Sequence, residues 1–440
     1  MINAYDVLII GAGIVGSATS FLLSEFTNVK NIAIIDKRNG IAQVASNRKA
    51  NSQTLHPFGG ELNYDCKMMA RLKKASDMIL DYVNSAYGRD YDIIRHINGM
   101  VLAVGEEEID YLYRKFENTV KPVFPNAKLL ENKEDIVKLE PYVVKDRREK
   151  IASIKLQAYM IDFGELAKSF IENVKKHKDR KIEIKLNKKV ERIEKISDGY
   201  KLYTQDDEVL YTRYLVISAG SYTLSLAKQI GLGEDYIAFP IEGKFFYSTS
   251  VVNGKVYTVQ EEGIPFASVH ADKEWDSNIT RYGPTALLTT AFERGSPDIK
   301  EFLNNLDYAL LDIIVHKKTI RNILFKNFLY NIPVLGKHLF WKNEARKIIP
   351  SLPYESLRPA HEFGGTRTIA VNKKTRELIM GEFILRKEDE NAIGNCTPSP
   401  GASGCLSIAY KNIMEIVKTL DLKFYTDKFE EFFSDVNKDY

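Results

Sequence analysis

Three glycines and one aspartate carry the clearest chemical signal. Gly11, Gly13 and Gly16 form GAGIVG, and Asp36 follows twenty residues after the last of them. The first glycine permits a tight turn, the second lets the backbone approach a pyrophosphate, and the third lets helix and strand pack closely. A helix opening at that turn offers free N–H groups and a positive dipole to phosphates. Asp36 is placed to accept hydrogen bonds from a ribose. The implied chemistry is dinucleotide binding; the alternative is a glycine turn that only packs. Other chemistries find little support. Seven histidines are dispersed without HxxxH or HExxH spacing, and no GxSxG elbow is present. Cys66, Cys396 and Cys405 are too few and too scattered for a disulfide framework or a Cys-rich metal site.

The elements around the glycines fit their task. Asp6 to Ile10 is a short apolar run that reads as a buried parallel strand, Ile14 to Ser24 as a helix, and Asn31 to Ile35 as a second strand ending in Asp36. Two later features point to FAD rather than NAD. The apolar strand of LVISAGSYT, Leu215 to Thr223, ends in Ala219-Gly220 and resembles the second nucleotide-facing strand of FAD enzymes. TPSPGASG, Thr397 to Gly404, opens a last helix over Cys405 to Leu420. It is similar to the late turn that closes over the flavin in proteins of the D-amino-acid-oxidase class, which assigns Pro400, Gly401, Ala402 and Ser403 to the cofactor. No motif marks Cys405 as a point of flavin attachment.

Between these landmarks, periodicity predicts helices over Glu61 to Tyr87, Ile109 to Val120 and Phe163 to Lys176, the last introduced by Asp162. Ile97 to Val104, Lys181 to Ile196 and Tyr214 to Ala219 read as strands, and Gly199 to Tyr203 pairs with Glu208 to Tyr211 as a hairpin. Phe239 to Thr290 is rich in strand and turn formers, Ile299 to Ile349 is helical, and strand signals return from Glu362 to Leu385. The tail after Asp421 is charged and is expected to pack weakly.

Composition excludes several classes. The 440 residues are 44% apolar and 28% charged, an ordinary globular balance rather than a disordered or collagen-like one. Lys and Arg number 62 against 59 Asp and Glu, so no global charge excess points to nucleic acid. No apolar run approaches the ~20 residues of a transmembrane helix, and MINAYDVLIIGAG does not read as a signal peptide. The expected location is the cytoplasm, or a membrane held only from its surface. Three scattered cysteines agree with a reducing compartment.

The sequence resembles the malate:quinone oxidoreductase family, especially its shorter bacterial forms, and more distantly the L-2-hydroxyglutarate oxidases. The resemblance rests on IIGAGIVG, KANSQTLHPFGGELNY (Lys49 to Tyr64), KVYTVQEEGIPFASVHAD (Lys255 to Asp272), TRYGPTAL (Thr280 to Leu287), ARKIIPSL (Ala345 to Leu352) and TPSPGASGCL (Thr397 to Leu406). It implies an FAD enzyme that oxidises malate, a small 2-hydroxy acid, and passes the electrons to membrane quinone. Such a reaction needs a base for the hydroxyl proton, a hydride acceptor and cations for the carboxylates.

The resemblance assigns those roles to residues. His270, in PFASVHAD, is the favoured base, because imidazole suits proton transfer near neutrality. On its own residues it would read as a core histidine bonded to backbone. His56, in NSQTLH, is the second candidate; Lys49 and Asn51 of the same loop are expected against flavin or ribitol. Arg281, before Tyr282-Gly283-Pro284, and Arg367, in GGTRT, are expected to clamp carboxylates with their planar forks. Their ordinary alternative is a surface salt bridge. His361 and Arg358 have no stronger case than surface residues. The rival readings are an L-2-hydroxyglutarate oxidase or dehydrogenase, an amine or amino-acid oxidase on the same fold, and an FAD-binding, membrane-associated protein without turnover.

The expected fold is α/β. Residues 1–90, 151–235 and 360–425 would form a discontinuous, Rossmann-like FAD-binding domain of the glutathione-reductase or D-amino-acid-oxidase type. Residues 91–150 and 236–359 would form an inserted, mainly antiparallel α+β substrate domain, leaving 426–440 as a tail. Within the insert, residues 316–347 interleave Lys317, Lys318, Arg321 and Lys326 with Phe325, Phe328, Tyr330 and Trp341. That mixture suits an anionic bilayer surface. Its alternative is a pair of core-packing helices with a solvated basic face.

Overall fold

The apolar run of the N-terminus is the centre of the first sheet. The computed structural model describes residues 4–58, 60–260, 268–379, 381–397 and 401–433. Tyr5–Ile10 lies between Val209–Ile217 and Asn31–Ile35, parallel to both. Lys181–Lys185 extends the sheet beyond Asn31–Ile35, and Ala392–Asn395 extends it beyond Val209–Ile217, again in parallel. The strand is buried on both faces because its alternation serves two cores. Val7 and Ile9 meet the helices Ile14–Phe26, Phe163–Lys175 and Cys405–Leu420, while Leu8 and Ile10 pack with Leu202, Leu215 and Leu224 on the other side. Asp162 caps the Phe163–Lys175 helix by accepting from the N–H groups of Gly164 and Glu165.

The second sheet has ten strands and is largely antiparallel. Its path runs Glu377–Leu378, Arg358–Asn372, Tyr236–Thr249, Ile279–Gly283, His270–Lys273, Lys255–Thr258, Ile94–Val104, Ile151–Ile161 and Lys128–Leu130, and Leu287–Leu288 pairs on Tyr236–Thr249. Register decides which side chains meet. Lys255 lies opposite Asp272, which lies opposite Arg281; two residues along the same face, Tyr257 lies opposite His270. The intervening Val256, Ala271 and Tyr282 point the other way, into a core shared with Tyr330, Phe340 and Ile348 of the helical stretch. One face of these strands is thus sealed by helices, and the other is left for the site.

Three expectations change. The strands Ile151–Ile161 and Arg358–Asn372 belong to the second sheet, so the chain crosses between sheets at Asp162 and after Asn372 rather than at 151 and 360. An apolar strand carries no mark of the sheet it will join; pairing decides that. The hairpin strand and the strand expected at Tyr214 to Ala219 are one element, Val209–Ile217. The chain after Asp421 packs firmly. Thr426–Phe432 is a helix whose Phe429, with Phe433 just after it, is buried against Phe26. The aromatic residues among its charges hold it; residues 434–440 lie outside the description.

Candidate active site

A cavity of about 1430 Å³ is lined by residues of both sheets. It begins at the glycine turn, with Gly11, Gly13 and Asp36, follows Ala45 to Asn47, Ala50, Asn51, Ala219 and Gly220, and reaches His56, Tyr257, His270 and Arg367. The turn is shaped by close approach. A Cβ on Gly11, whose φ is +105°, would stand 2.2 Å from Ser218 O, and one on Gly16 would stand 2.0 Å from Gly11 O. Gly13 is different: a Cβ there would meet only Ser46 Oγ at 3.4 Å, so the room it leaves opens on the cavity. That is the cradle a pyrophosphate needs at a helix N-terminus. Asp36 accepts from Ala12 N at 2.7 Å and Arg38 N at 2.8 Å. A carboxylate has lone pairs beyond those two bonds, so the ribose role stays open to it. The residues present therefore fit a dinucleotide.

The loop after the second strand closes the middle of the cavity. Ser46, which sequence patterns did not single out, accepts the N–H of Ile14 in the first helical turn at 3.0 Å. Asn51 lines the cavity but spends its side chain on its own loop, donating to Ala45 O and Asn47 O and accepting from Gln53 N. Lys49 turns outward. Its ammonium pairs with the exposed Glu362 at 2.9 Å and is absent from the lining, so the expected flavin contact is not what the structure places there. The C-terminal turn acts as a latch. Ser403 Oγ accepts from His56 N at 2.9 Å and lies 3.4 Å from Thr54 O. Gly401 and Ala402 line the cavity with it, and Pro400 lies outside the described residues.

The two histidines stand in different settings. His56 lines the cavity; its Nδ1 meets Glu61 Oε1, and among the described residues its Nε2 meets Ser52 Oγ, at 3.4 Å. His270 stacks on Tyr257 with ring centroids 4.4 Å apart. Its Nδ1 lies 3.1 Å from Ser268 O and its Nε2 3.2 Å from Asp272 Oδ2. Both nitrogens of His270 thus face protein oxygens. The Nε2 approach lacks hydrogen-bond geometry, so Nε2 has no hydrogen-bond partner among the described residues and lies beside a carboxylate rather than a donor.

The two arginines also part. Arg367, across the strand pair from Ile241, reaches the cavity wall with Tyr64 beside it. Burial, reinforced by Glu61, pushes the Tyr64 phenol well above its ordinary value, so it remains a donor at neutral pH. Arg281 is wholly buried and does not line the cavity. The register sets it behind the loop, with Nη1 and Nη2 3.4 Å from Asn51 O and Ser52 O and Nη2 3.7 Å from Asp272 Oδ2. The carboxylate clamp expected of Arg281 is therefore a brace for the loop. Lys255, equally buried, donates to the same Ser52 O at 2.9 Å. Burial pushes its ammonium down to about 8, against the pull of Asp272.

Glu61, Tyr64, Tyr257, Lys255 and Asp272 were missed as site residues. The signal was weak but present: HAD places His270 and Asp272 two apart on one strand, hence on one face. Several buried lining atoms have no hydrogen-bond partner among the described residues: Glu61 Oε2, Asn63 Oδ1, Tyr257 Oη, His270 Nε2, Thr366 Oγ1 and Asn395 Oδ1. Buried polar atoms are normally bonded, so such a wall suits a polar ligand. His361 lines the outer part of the cavity, and its carbonyl accepts from Arg294.

Known proteins agree with this architecture. The L-α-glycerophosphate oxidase of Mycoplasma pneumoniae, solved with FAD bound, superposes with a TM-score of 0.66 at 19% identity, covering 94% of this chain and 95% of its own. The glycine oxidase of Geobacillus kaustophilus gives 0.65 at 16% identity over 94% and 95%. At such identities the likeness shows the fold. Sequence relatives are nearer. A probable malate:quinone oxidoreductase of Campylobacter jejuni is 35% identical over 97% of this chain and 98% of its own length. The malate:quinone oxidoreductase of Helicobacter pylori is 34% identical over 97% of each. The mitochondrial L-2-hydroxyglutarate dehydrogenase of Dictyostelium discoideum is 27% identical over 92% and 91%. The family model described as malate:quinone oxidoreductase matches residues 3–439, and with these relatives it shows that the chain belongs to that family.

Proposed function

We propose that this chain is an FAD-dependent enzyme that oxidises (S)-malate to oxaloacetate and delivers the electrons to membrane quinone. One observation carries the reading: a single cavity joins a dinucleotide cradle at Gly13 and Asp36 to a pocket holding a histidine, an arginine and buried phenols. When bound, FAD supplies the hydride acceptor and the route of the electrons to quinone. Arg367 holds one substrate carboxylate in its planar fork, and the neutral Tyr64 phenol donates beside it. His56 takes the hydroxyl proton at Nε2, the role first expected of His270. Ser403 and the buried Lys255 and Arg281 fix the loop that carries His56 by its backbone.

Quinone lives in the bilayer, and one surface suits access to it. Ten of the fifteen exposed large apolar side chains among the described residues fall in the single stretch 299–335. Phe325 is 62% exposed and Phe328 54%, with Lys317, Lys318 and Arg321 exposed around them. The inner side of the same helices packs Leu310, Ile313 and Ile320 on the second sheet. Apolar rings among cations fit the headgroup level of an anionic membrane. No helix among the described residues is long and apolar enough to cross a membrane. The proposed contact is peripheral, on the inner face of the cytoplasmic membrane.

2-Hydroxyglutarate is the closest rival substrate, as the Dictyostelium relative's name indicates. It differs from malate by one methylene, a discrimination of only ~1–3 kcal/mol. Anaerobic mixing of the FAD-loaded protein with (S)-malate, (S)-2-hydroxyglutarate and (S)-lactate tests the reading by flavin bleaching. Fast bleaching by malate is expected. Preference for 2-hydroxyglutarate replaces the substrate; bleaching by none leaves a flavin-binding protein without this activity.

A further inference from the structure

We infer that Glu61 is the positioning residue of His56, holding its ring in the tautomer that presents Nε2 to the cavity as a proton acceptor. The inference deepens the hydroxy-acid oxidation proposed above and rests on it for the identity of the proton taken. The contact itself is direct: Glu61 Oε1 meets His56 Nδ1. An ionised carboxylate only accepts, so the hydrogen between them belongs to Nδ1. A neutral imidazole carries one N–H, and Nε2 is then left with its lone pair. Among the described residues, the protein atom bonded to Nε2 is the Ser52 hydroxyl at 3.4 Å, a weak and rotatable partner.

The rest of the loop holds this geometry from both ends. The backbone N–H of His56 is tied to Ser403 Oγ at 2.9 Å, which fixes where the ring leaves the chain. Tyr257 meets the ring edge-on with centroids 6.4 Å apart. Glu61 is nearly inaccessible, its side chain 7% exposed, and its second oxygen has no protein partner among the described residues. A buried carboxylate with one oxygen on a histidine and the other in the cavity wall is poorly explained by packing, because burying a charge is unfavourable unless a partner compensates it. Its position is explained if it faces a ring that becomes cationic.

The His270–Asp272 pair shows the contrast. Asp272 Oδ2 lies 3.2 Å from His270 Nε2 while Ser268 O faces Nδ1, so the anion stands beside the nitrogen that would have to accept. At His56 the carboxylate is on Nδ1, and Nε2 is the nitrogen without an anion against it. In the reaction the substrate O–H bond breaks toward Nε2 as the C=O bond forms; FAD, held at the glycine turn, would supply the acceptor for the C–H electron pair. The new imidazolium then lies against the Glu61 carboxylate, which stabilises it as the carboxylate of a hydrolase triad does.

Two readouts test this on the FAD-loaded protein, one without substrate. In protein labelled with ¹⁵N-histidine, the His56 ring signals are identified by their loss in His56→Gln. The wild type is expected to show the Nδ1–H tautomer, and Glu61→Leu a shift toward Nε2–H. An Nε2–H tautomer in the wild type overturns the proposal whatever the substrate is. The second readout is the malate-driven bleaching rate against the affinity for oxaloacetate. Glu61→Gln is expected to slow bleaching on the order of a hundredfold or more. Oxaloacetate binding should change less than twofold, and Glu61→Asp should recover part of the rate. A rate within threefold of wild type in Glu61→Gln, or rate and binding lost together, overturns it. If malate bleaches nothing in the wild type, the proposed reaction fails, and the tautomer alone still decides the role of Glu61.

Discussion

Lys255 Nζ lies 3.2 Å from Asp272 Oδ1, and neither side chain is exposed to solvent. Arg281 stands 3.7 Å from the other oxygen of the same carboxylate. Asp272 is the carboxylate that lies within 4.0 Å of both buried cations and of His270, with Glu274 and Glu61 acting on them from further away. Removing it by Asp272→Asn leaves those cations uncompensated and is expected to destabilise the protein by about 3–5 kcal/mol. Lys255→Met leaves Asp272 with two partners and deprives Ser52 O of one donor, so about 1–2 kcal/mol is expected. Chemical denaturation of the two variants checks the order; equal losses contradict it.

The same carboxylate sets a pH dependence. Burial alone would raise its pKa, but His270, Lys255 and Arg281 outweigh burial and hold it well below the ordinary range. A depressed folded-state pKa contributes stability that is complete above the unfolded value of ~3.9 and is lost as pH falls through the folded value. The stability gap between wild type and Asp272→Asn should therefore narrow progressively below about pH 4. A constant gap from pH 6 to pH 3 contradicts the assignment.

Arg367 is the cation of the cavity wall, with Tyr64 at its side. Arg367→Lys keeps a positive charge but loses the planar fork. Substrate affinity, read from the concentration dependence of flavin bleaching, is expected to fall on the order of a hundredfold, equivalent to about 2.7 kcal/mol. FAD content should be unchanged. An equal loss of FAD would place Arg367 with the cofactor instead.

Glu293 ties a short hairpin over the nucleotide end of the cavity. It pairs with Lys37 at 2.7 Å and with Arg38, the two residues after Asp36. Lys37 also stands 4.0 Å over the ring of Tyr222. Glu293→Gln is expected to raise the FAD dissociation constant on the order of tenfold, about 1.4 kcal/mol. Titration of the apoprotein by flavin fluorescence measures it, and the malate affinity of the saturated protein should not move.

The exposed rings of the basic helices give the last test. Phe325→Ser with Phe328→Ser should abolish most sedimentation with vesicles containing anionic lipid, while malate still bleaches the flavin at the wild-type rate. Binding by the unaltered protein should weaken at high salt, since the lysines contribute through screened charges. Unchanged sedimentation in the double variant would move the membrane contact elsewhere.

The cofactor cradle was legible in the sequence because its cause is local. Gly11, Gly13, Gly16 and Asp36 lie within one βαβ unit, where chain spacing alone fixes which atoms face the phosphates. The apolar runs Asp6 to Ile10 and Leu215 to Ile217 likewise announced buried parallel strands. Family-like blocks singled out His56, His270, Arg281 and Arg367, but they could not say which of these face the cavity. That depended on strand register over distances of many residues. A register that sets Asp272 between Lys255 and Arg281 puts Arg281 behind the loop and a carboxylate beside Nε2 of His270. A loop latched by Ser403 from the far end of the chain brings His56 and Glu61 to the wall instead. Sequence thus determined the kinds of group available and the nucleotide turn; tertiary pairing decided which carboxylate, histidine and arginine meet, because those contacts span strands whose neighbours no local pattern encodes.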